Sequence, residues 1–126
     1  DCPPGTGDVP LTVFQSIPVK GIVVVTSPQE LVSVIVEKAV NMAKMMNIPV
    51  LGVVQNMAYY ECDNCGKRHY IYGKSDVLAT AKAFGIKNSC EMPVMPEAAK
   101  ECDEGNVNEL VLPEIEEFFD KIYKYE

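Results

Sequence analysis

The sequence has no apolar run approaching the roughly 20 residues that cross a bilayer, and no basic-then-apolar leader stands before Asp1. Both absences set the expectation of a cytoplasmic protein. A complete phosphate loop of the G-x-x-x-x-G-K-[ST] kind is missing as well. Pro3-Pro-Gly-Thr-Gly7 has the glycines of one, yet Asp8 occupies the place of the lysine that would neutralise phosphate. Gly73-Lys74-Ser75 has the tail of one, yet Arg68 occupies the place of the first glycine, so no cradle is expected there. Cations are in deficit: 11 Lys and Arg against 18 Asp and Glu give a net charge of −7, which excludes non-specific nucleic-acid binding. The acidic residues concentrate mildly between Glu97 and Glu126 and read as a solvated surface. Histidine occurs once, as His69 among several tyrosines, and reads as a polar contact outside any site.

Cysteine is sparse and odd in number. The five at positions 2, 62, 65, 90 and 102 do not form the dense framework of a small secreted domain, so reduced thiols or metal ligands are expected. Cys2, Cys90 and Cys102 read as buried small hydrophobes, and Met42, Met45 and Met46 as core filling. Hydrophobic residues at 48% and charged residues at 23% suit one globular domain of 126 residues that buries roughly two thirds of its unfolded surface.

Lys20-Gly-Ile-Val-Val-Val-Thr26 and Pro49-Val-Leu-Gly-Val-Val-Gln-Asn56 are continuous apolar runs rich in β-branched residues. That pattern belongs to strands covered on both faces of a parallel sheet. Between them a helix is expected, capped by Ser27, with Pro28 in its first turn and Glu30 closing a capping box. Its apolar stripe would be Leu31, Ile35, Ala39, Met42 and Met46, and Asn47 and Pro49 would stop it. A short helix is expected over residues 75–84, ended by Gly85, then a brief strand over 90–94. A last helix from Pro113 has Ile115, Phe118, Phe119, Ile122 and Tyr123 on one face. A strand–helix–strand unit of this kind implies an α/β layered fold. Two strong strands and one weak one would leave an open sheet edge unless another chain or segment covers it.

Cys62-Asp-Asn-Cys65-Gly66 is a knuckle in a polar loop beyond the second strand. The spacing lets two thiolates converge on one metal ion or cluster, while Gly66 lets the backbone turn its amides toward the sulfurs. Two ligands are half of the four that a closed zinc site or a cubane cluster takes. Either His69, Cys90 or Cys102 supplies the rest, or two copies of the knuckle meet across a two-fold axis. A thioredoxin-type redox pair fits less well, because Gly66-Lys67-Arg68 does not open a helix. A structural turn without any ligand also remains open. Asn56 ends the second strand at the carboxyl edge where ligands bind in open α/β sheets; it is either a turn former or a reader of an adenine edge.

Taken in order, Asp1-Cys-Pro-Pro-Gly-Thr-Gly-Asp8, Val25-Thr-Ser-Pro-Gln29, Pro49-Val-Leu-Gly-Val-Val-Gln-Asn-Met57, Tyr60-Glu-Cys-Asp-Asn-Cys-Gly-Lys-Arg68 and Ile71-Tyr-Gly73 resemble the Mrp-type, or ApbC-type, P-loop ATPases, iron–sulfur cluster carriers related to MinD and the nitrogenase iron protein. The resemblance implies a Rossmann-like P-loop NTPase sheet with flanking helices. It further implies that residues 1–126 are the carboxyl-terminal part of one such domain, without the Walker A half. By the same resemblance Asp1 is the magnesium-side carboxylate and Gly5 to Asp8 the switch backbone of a catalytic site. Asn56 contacts adenine, and Cys62 and Cys65 bind a [4Fe-4S] cluster bridging a homodimer. ATP and Mg2+ would bind the complete protein, so this chain alone would lack ATPase activity, and apo iron–sulfur proteins would receive the cluster. Pro93-Val-Met-Pro96 departs from the family's Pro-Leu-Asp-Pro. Two other readings are a zinc knuckle without catalysis and a MinD-like positioning ATPase. The acidic last helix argues against the membrane-binding tail of the latter.

Overall fold

Twelve residues, Val50–Glu61, form the central strand around which everything else is arranged. The computed structural model describes residues 2–3, 5–28 and 31–124. In chain order the elements are α1 (Asp8–Ser16), β1 (Ile22–Thr26), α2 (Val32–Met45), β2 (Val50–Glu61), β3 (Arg68–His69), α3 (Val77–Ala83), β4 (Ser89–Pro93), α4 (Pro96–Glu104), a 3-10 turn (Val107–Glu109) and α5 (Pro113–Tyr123). β1 and β4 both pair parallel with β2, placing Thr26 and Glu91 beside Gln55. The far end of β2 turns back antiparallel onto β3.

The unbroken apolar runs are explained by cover on both faces of the sheet. Val24 and Val53 join Val36, Val40, Val77 and Ile86 in one cluster, under α2 and α3. Val54 and Met92 join Phe118 and Ile122 of α5 in another. Val36 and Val53 are fully enclosed, each worth up to about 1.5–3 kcal/mol as an upper bound. Gly52 is required by a close approach: a Cβ there would overlap the Phe118 ring and lie 3.0 Å from the Asn88 carbonyl oxygen.

α2 begins later than its sequence signals suggest. Leu31 is its N-cap, without a side-chain cap bond, and the first turn closes through the Leu31 carbonyl, which accepts the Val34 and Ile35 amides. Ser27 therefore does not cap the helix and Pro28 precedes it; Glu30 lies outside the described residues. The buried stripe is Val32, Val36, Ala39, Val40 and Ala43, rotated from the expected one, while Leu31 and Met45 are exposed. Valine and alanine are short enough for the helix to lie close on a sheet of valines. The stop at Asn47 is as expected: its φ of 55° is left-handed, its amide donates to the Lys44 carbonyl, and the Ile48 amide donates to that of Ala43. Gly85, at φ 74°, ends α3 in the same way.

The helix of residues 75–84 is shorter than expected, starting at Val77 behind an Asp76 cap. The strand expected at 90–94 lies at Ser89–Pro93. α1, β3, α4 and the 3-10 turn are additions to the sequence reading. Cys102 is exposed because α4 buries none of its residues, so there is no interior for the thiol to enter. Cys2 is exposed too, and Cys90 is only half-buried. Met42 and Met46 are partly buried. β1 pairs with β2 alone among the described residues, and Val25 stands exposed beside that margin. Among the described residues no helix is long and apolar enough to cross a membrane.

Candidate metal centre

The cysteine pair sits at the tip of the β2–β3 hairpin. β2 continues beyond Asn56 by taking Met57 into the left-handed region, at φ 55°, where the Asn56 Oδ1 accepts the Met57 amide at 3.0 Å. The register against β4 slips at this kink, between Gln55 and Tyr59, and the strand then pairs Tyr60 with His69 and Glu61 with Arg68. The expected loop position of the knuckle is thus a hairpin tip held by two strands.

At the tip, the Cys62 amide donates to the Lys67 carbonyl at 3.0 Å and the Gly66 amide to the Cys62 carbonyl at 2.8 Å. Gly66 has φ 70°, and a Cβ there would meet nothing within 4 Å, so the glycine answers a conformational need. This turn aims the amides of Cys65 and Asn64 at the Cys62 sulfur, and the Cys65 thiol also bonds to it. Together these donors, the Cys65 amide foremost, hold the Cys62 thiol below its ordinary pKa. Amides that stabilise a thiolate also stabilise a metal-bound sulfur and tune a cluster's potential. Cys62 is half-buried, Cys65 is exposed, and neither is in a disulfide.

A brace stiffens the hairpin below its tip. The Arg68 guanidinium lies over the Tyr59 ring, its Nε stands 3.5 Å from Glu61 Oε2, and its side chain bonds to Tyr70. The Tyr59 and Tyr70 rings are tilted at 5.9 Å between centroids. Beside this brace opens a cleft of about 430 Å³, lined by Tyr59, Arg68, Cys90, Glu91, Glu114 and Lys121 among others. Burial, reinforced by Glu114 and Glu91, pushes the Cys90 thiol up to about 11, which keeps it protonated and a poor metal ligand at neutral pH.

The same-chain completion of the site is not observed. Among the described residues no group of three or more His, Cys, Asp or Glu converges to hold a metal ion. Of the described candidates, the structure brings together Cys62 and Cys65.

Of the other candidates, Asp1 lies outside the described residues. Gly5 is exposed with φ 94°, and Gly7 and Asp8 begin α1, where a carboxylate in the first turn suits the helix dipole. Asn56 is exposed at the carboxyl edge of the parallel strands, its side-chain oxygen accepting the Met57 amide. Gly73 closes a tight turn from Tyr70, its amide donating to the Tyr70 carbonyl, Lys74-Ser75 run on irregularly toward α3, and Arg68 is in a strand; these described residues form no phosphate cradle. Two residues at the sheet edge escaped the sequence reading. Gln55 is enclosed and donates through Nε2 to Ser75 Oγ, and Thr26, beside it in register, buries a hydroxyl without a partner among the described residues. A polar residue within a run of valines was the available signal for both.

The fold places this chain among solved structures. A nucleotide-binding protein from Archaeoglobus fulgidus, in complex with ADP and with cobalt found in it, superposes with a TM-score of 0.85 at 44% identity, over 93% of this chain and 48% of that one. The class is therefore an α/β domain of the P-loop NTPase kind. Residues 1–125 match the ParA-related family described as the NUBPL iron-transfer P-loop NTPase, and the chain belongs to that family. The iron–sulfur cluster carrier protein of Aquifex aeolicus is 47% identical over 83% of this chain. That of Pseudomonas fragi is 40% identical over 90%, and the iron–sulfur cluster transfer protein NUBPL of Dictyostelium discoideum is 38% identical over 83%. The chain spans 29%, 39% and 32% of the length of these three relatives.

Proposed function

We propose that this chain holds the cluster of an ATP-dependent iron–sulfur cluster carrier: Cys62 and Cys65 supply half a coordination sphere, and an identical copy supplies the other half around a [4Fe-4S] cargo. One observation carries the reading. Two thiols meet at a hairpin tip, one of them stabilised as thiolate by backbone amides, and no third donor from the described residues joins them. Four thiolates complete a cubane cluster, and a two-fold axis doubles two into four. Exposure of Cys65 gives a thiol of an apo-protein access to the cluster's rim, so transfer proceeds by exchange of one thiolate for another.

The nucleotide half of the reading rests on the sheet edge. Asn56 is exposed and its side-chain oxygen is engaged by Met57, so its carboxamide nitrogen is the group that would meet a ring-nitrogen acceptor of adenine. The orphaned, buried Thr26 hydroxyl marks the same edge as a place where a polar partner belongs. In the complete protein, hydrolysis of an ATP phosphoanhydride bond would supply the free energy, with Mg2+ screening the phosphate charge. Asp1 and the Gly5–Asp8 backbone would face them, and the glycines allow that segment to move.

Anaerobic reconstitution with iron and sulfide tests the proposal. The expected result is a broad visible absorption, one cluster per two chains, and a dimer on gel filtration. Cys62→Ser and Cys65→Ser should both lose the cluster while keeping the far-ultraviolet circular dichroism of the parent, since both core clusters lie outside the hairpin tip. A colourless monomer holding one zinc would overturn the reading.

A further inference from the structure

Gln55 is 1% exposed, in the middle of β2, between Thr26 of β1 and Glu91 of β4. A carboxamide in such a place is costly unless it is hydrogen-bonded. Its Nε2 donates to the hydroxyl of Ser75, twenty residues further along the chain. Ser75 belongs to the segment that returns from the hairpin and enters α3, where Asp76 Oδ1 accepts the Ala79 amide at 2.8 Å. Between these two residues runs the excursion that carries the cysteines: the left-handed kink at Met57, a last contact with β4 where the Tyr59 carbonyl accepts the Val94 amide at 2.7 Å, the knuckle, β3, and the turn closed by Gly73. The excursion is thus pinched at its base by a part-buried side-chain bond. Its outgoing limb bends two residues after Gln55, and its returning limb passes into a capped helix one residue after Ser75.

We propose that Gln55 and Ser75 are positioning residues for the cysteine hairpin, their bond fixing where the hairpin leaves and rejoins the sheet and so where Cys62 and Cys65 are presented. The proposal rests on the reading of those cysteines as cluster ligands, but its mechanical content belongs to the metal-free chain. Arg68 stiffens the hairpin internally, through Tyr59, Glu61 and Tyr70. The outgoing limb of that stiff unit is held to β4 by the Tyr59 carbonyl, and the Gln55–Ser75 bond ties the returning limb to the sheet. The contact is side chain to side chain, so it can be removed without touching the β-ladder.

The test compares Gln55→Leu, Ser75→Ala and Ser75→Thr with the parent chain. In metal-free protein, hydrogen exchange of amides over residues 58–76 should accelerate about ten-fold in Gln55→Leu and Ser75→Ala, the effect of one lost part-buried hydrogen bond on local opening. Exchange in α2 should stay unchanged, and Ser75→Thr, which keeps a hydroxyl, should restore the parental pattern. After reconstitution, the first two variants should bind the cluster with an altered visible circular dichroism, whereas Ser75→Thr should match the parent. Ser75 is half-buried, so its variants report even if Gln55→Leu does not fold. Unchanged exchange in Ser75→Ala, or acceleration equal in α2 and the hairpin, would overturn the positioning role. Failure of the parent to load iron, with the exchange pattern as expected, would overturn the cluster reading alone.

Discussion

The guanidinium carbon of Arg68 lies 4.3 Å from the centre of the Tyr59 ring, joining the two strands of the cysteine hairpin through a cation and an aromatic face. Arginine can stack on a ring and bond to Glu61 and Tyr70 together, because its charge is spread over a flat fork; lysine offers only a point charge. Arg68→Ala should loosen the hairpin by about 1 kcal/mol, the sum of an exposed cation–π contact and a half-exposed ion pair. Arg68→Lys should recover less than half of it. Hydrogen exchange at Tyr60 and Arg68, set against exchange in α2, measures the difference.

The thiols should separate by pH. Amide donors hold Cys62 below its ordinary pKa, so its thiolate survives to lower pH than that of an unperturbed cysteine. Cys90, raised to about 11, is protonated until strongly alkaline conditions. In native protein at neutral pH, iodoacetamide should label Cys62 readily and leave Cys90 untouched, as peptide mass spectrometry will read. The linkage has a definite sign. A thiol whose folded pKa lies above its unfolded value stabilises the fold fully below that unfolded value, and the contribution drains as pH rises through about 11. Cys90→Ala should therefore flatten the loss of urea stability between about pH 9 and 11 relative to the parent.

Gly52→Ala should destabilise the chain by about 1–3 kcal/mol, the ordinary cost of overpacking. The added methyl would need the space of the Phe118 ring and would press on the Asn88 carbonyl, and that carbonyl already accepts the Val53 amide at 3.0 Å. Phe118→Leu in the same background should return part of the loss by vacating the ring. Urea midpoints of the single and double variants form the cycle that checks this.

Both strong strands and their parallel pairing were legible because valine runs of that length have no other home than a sheet covered on two faces. The stop at Asn47, the stop at Gly85 and the final helix were legible from turn chemistry and from the 3.6 period of Ile115, Phe118 and Ile122, whereas Phe119 and Tyr123 of the expected face stand exposed. The knuckle's chemistry was legible from Cys62, Cys65 and Gly66. What escaped is instructive in each case. α2 shows two apolar stripes, one of long side chains and one of short, and only the sheet it packs on selects the short one. β3 is two residues long and polar, so its strand character exists only in its pairing with Tyr60 and Glu61. Asn56 looked like the end of a strand, whereas the strand passes through it by way of a left-handed methionine, a conformation no propensity favours. α4 carried its own punctuation, Pro96 at its start and Gly105 in the left-handed region at its end, yet it buries nothing and so lacks the apolar period by which helices are recognised.

Among the described residues β1 pairs on one side alone, with Val25 exposed on that strand. A strand open on one side is a template on which the sheet extends, and the next layer of backbone is recruited by hydrogen bonding rather than by side-chain identity. Whatever polypeptide lies along that border, its own or a neighbour's, becomes a continuation of the same β-ladder, so concentration and crowding will govern how the purified chain behaves as much as its thiols do.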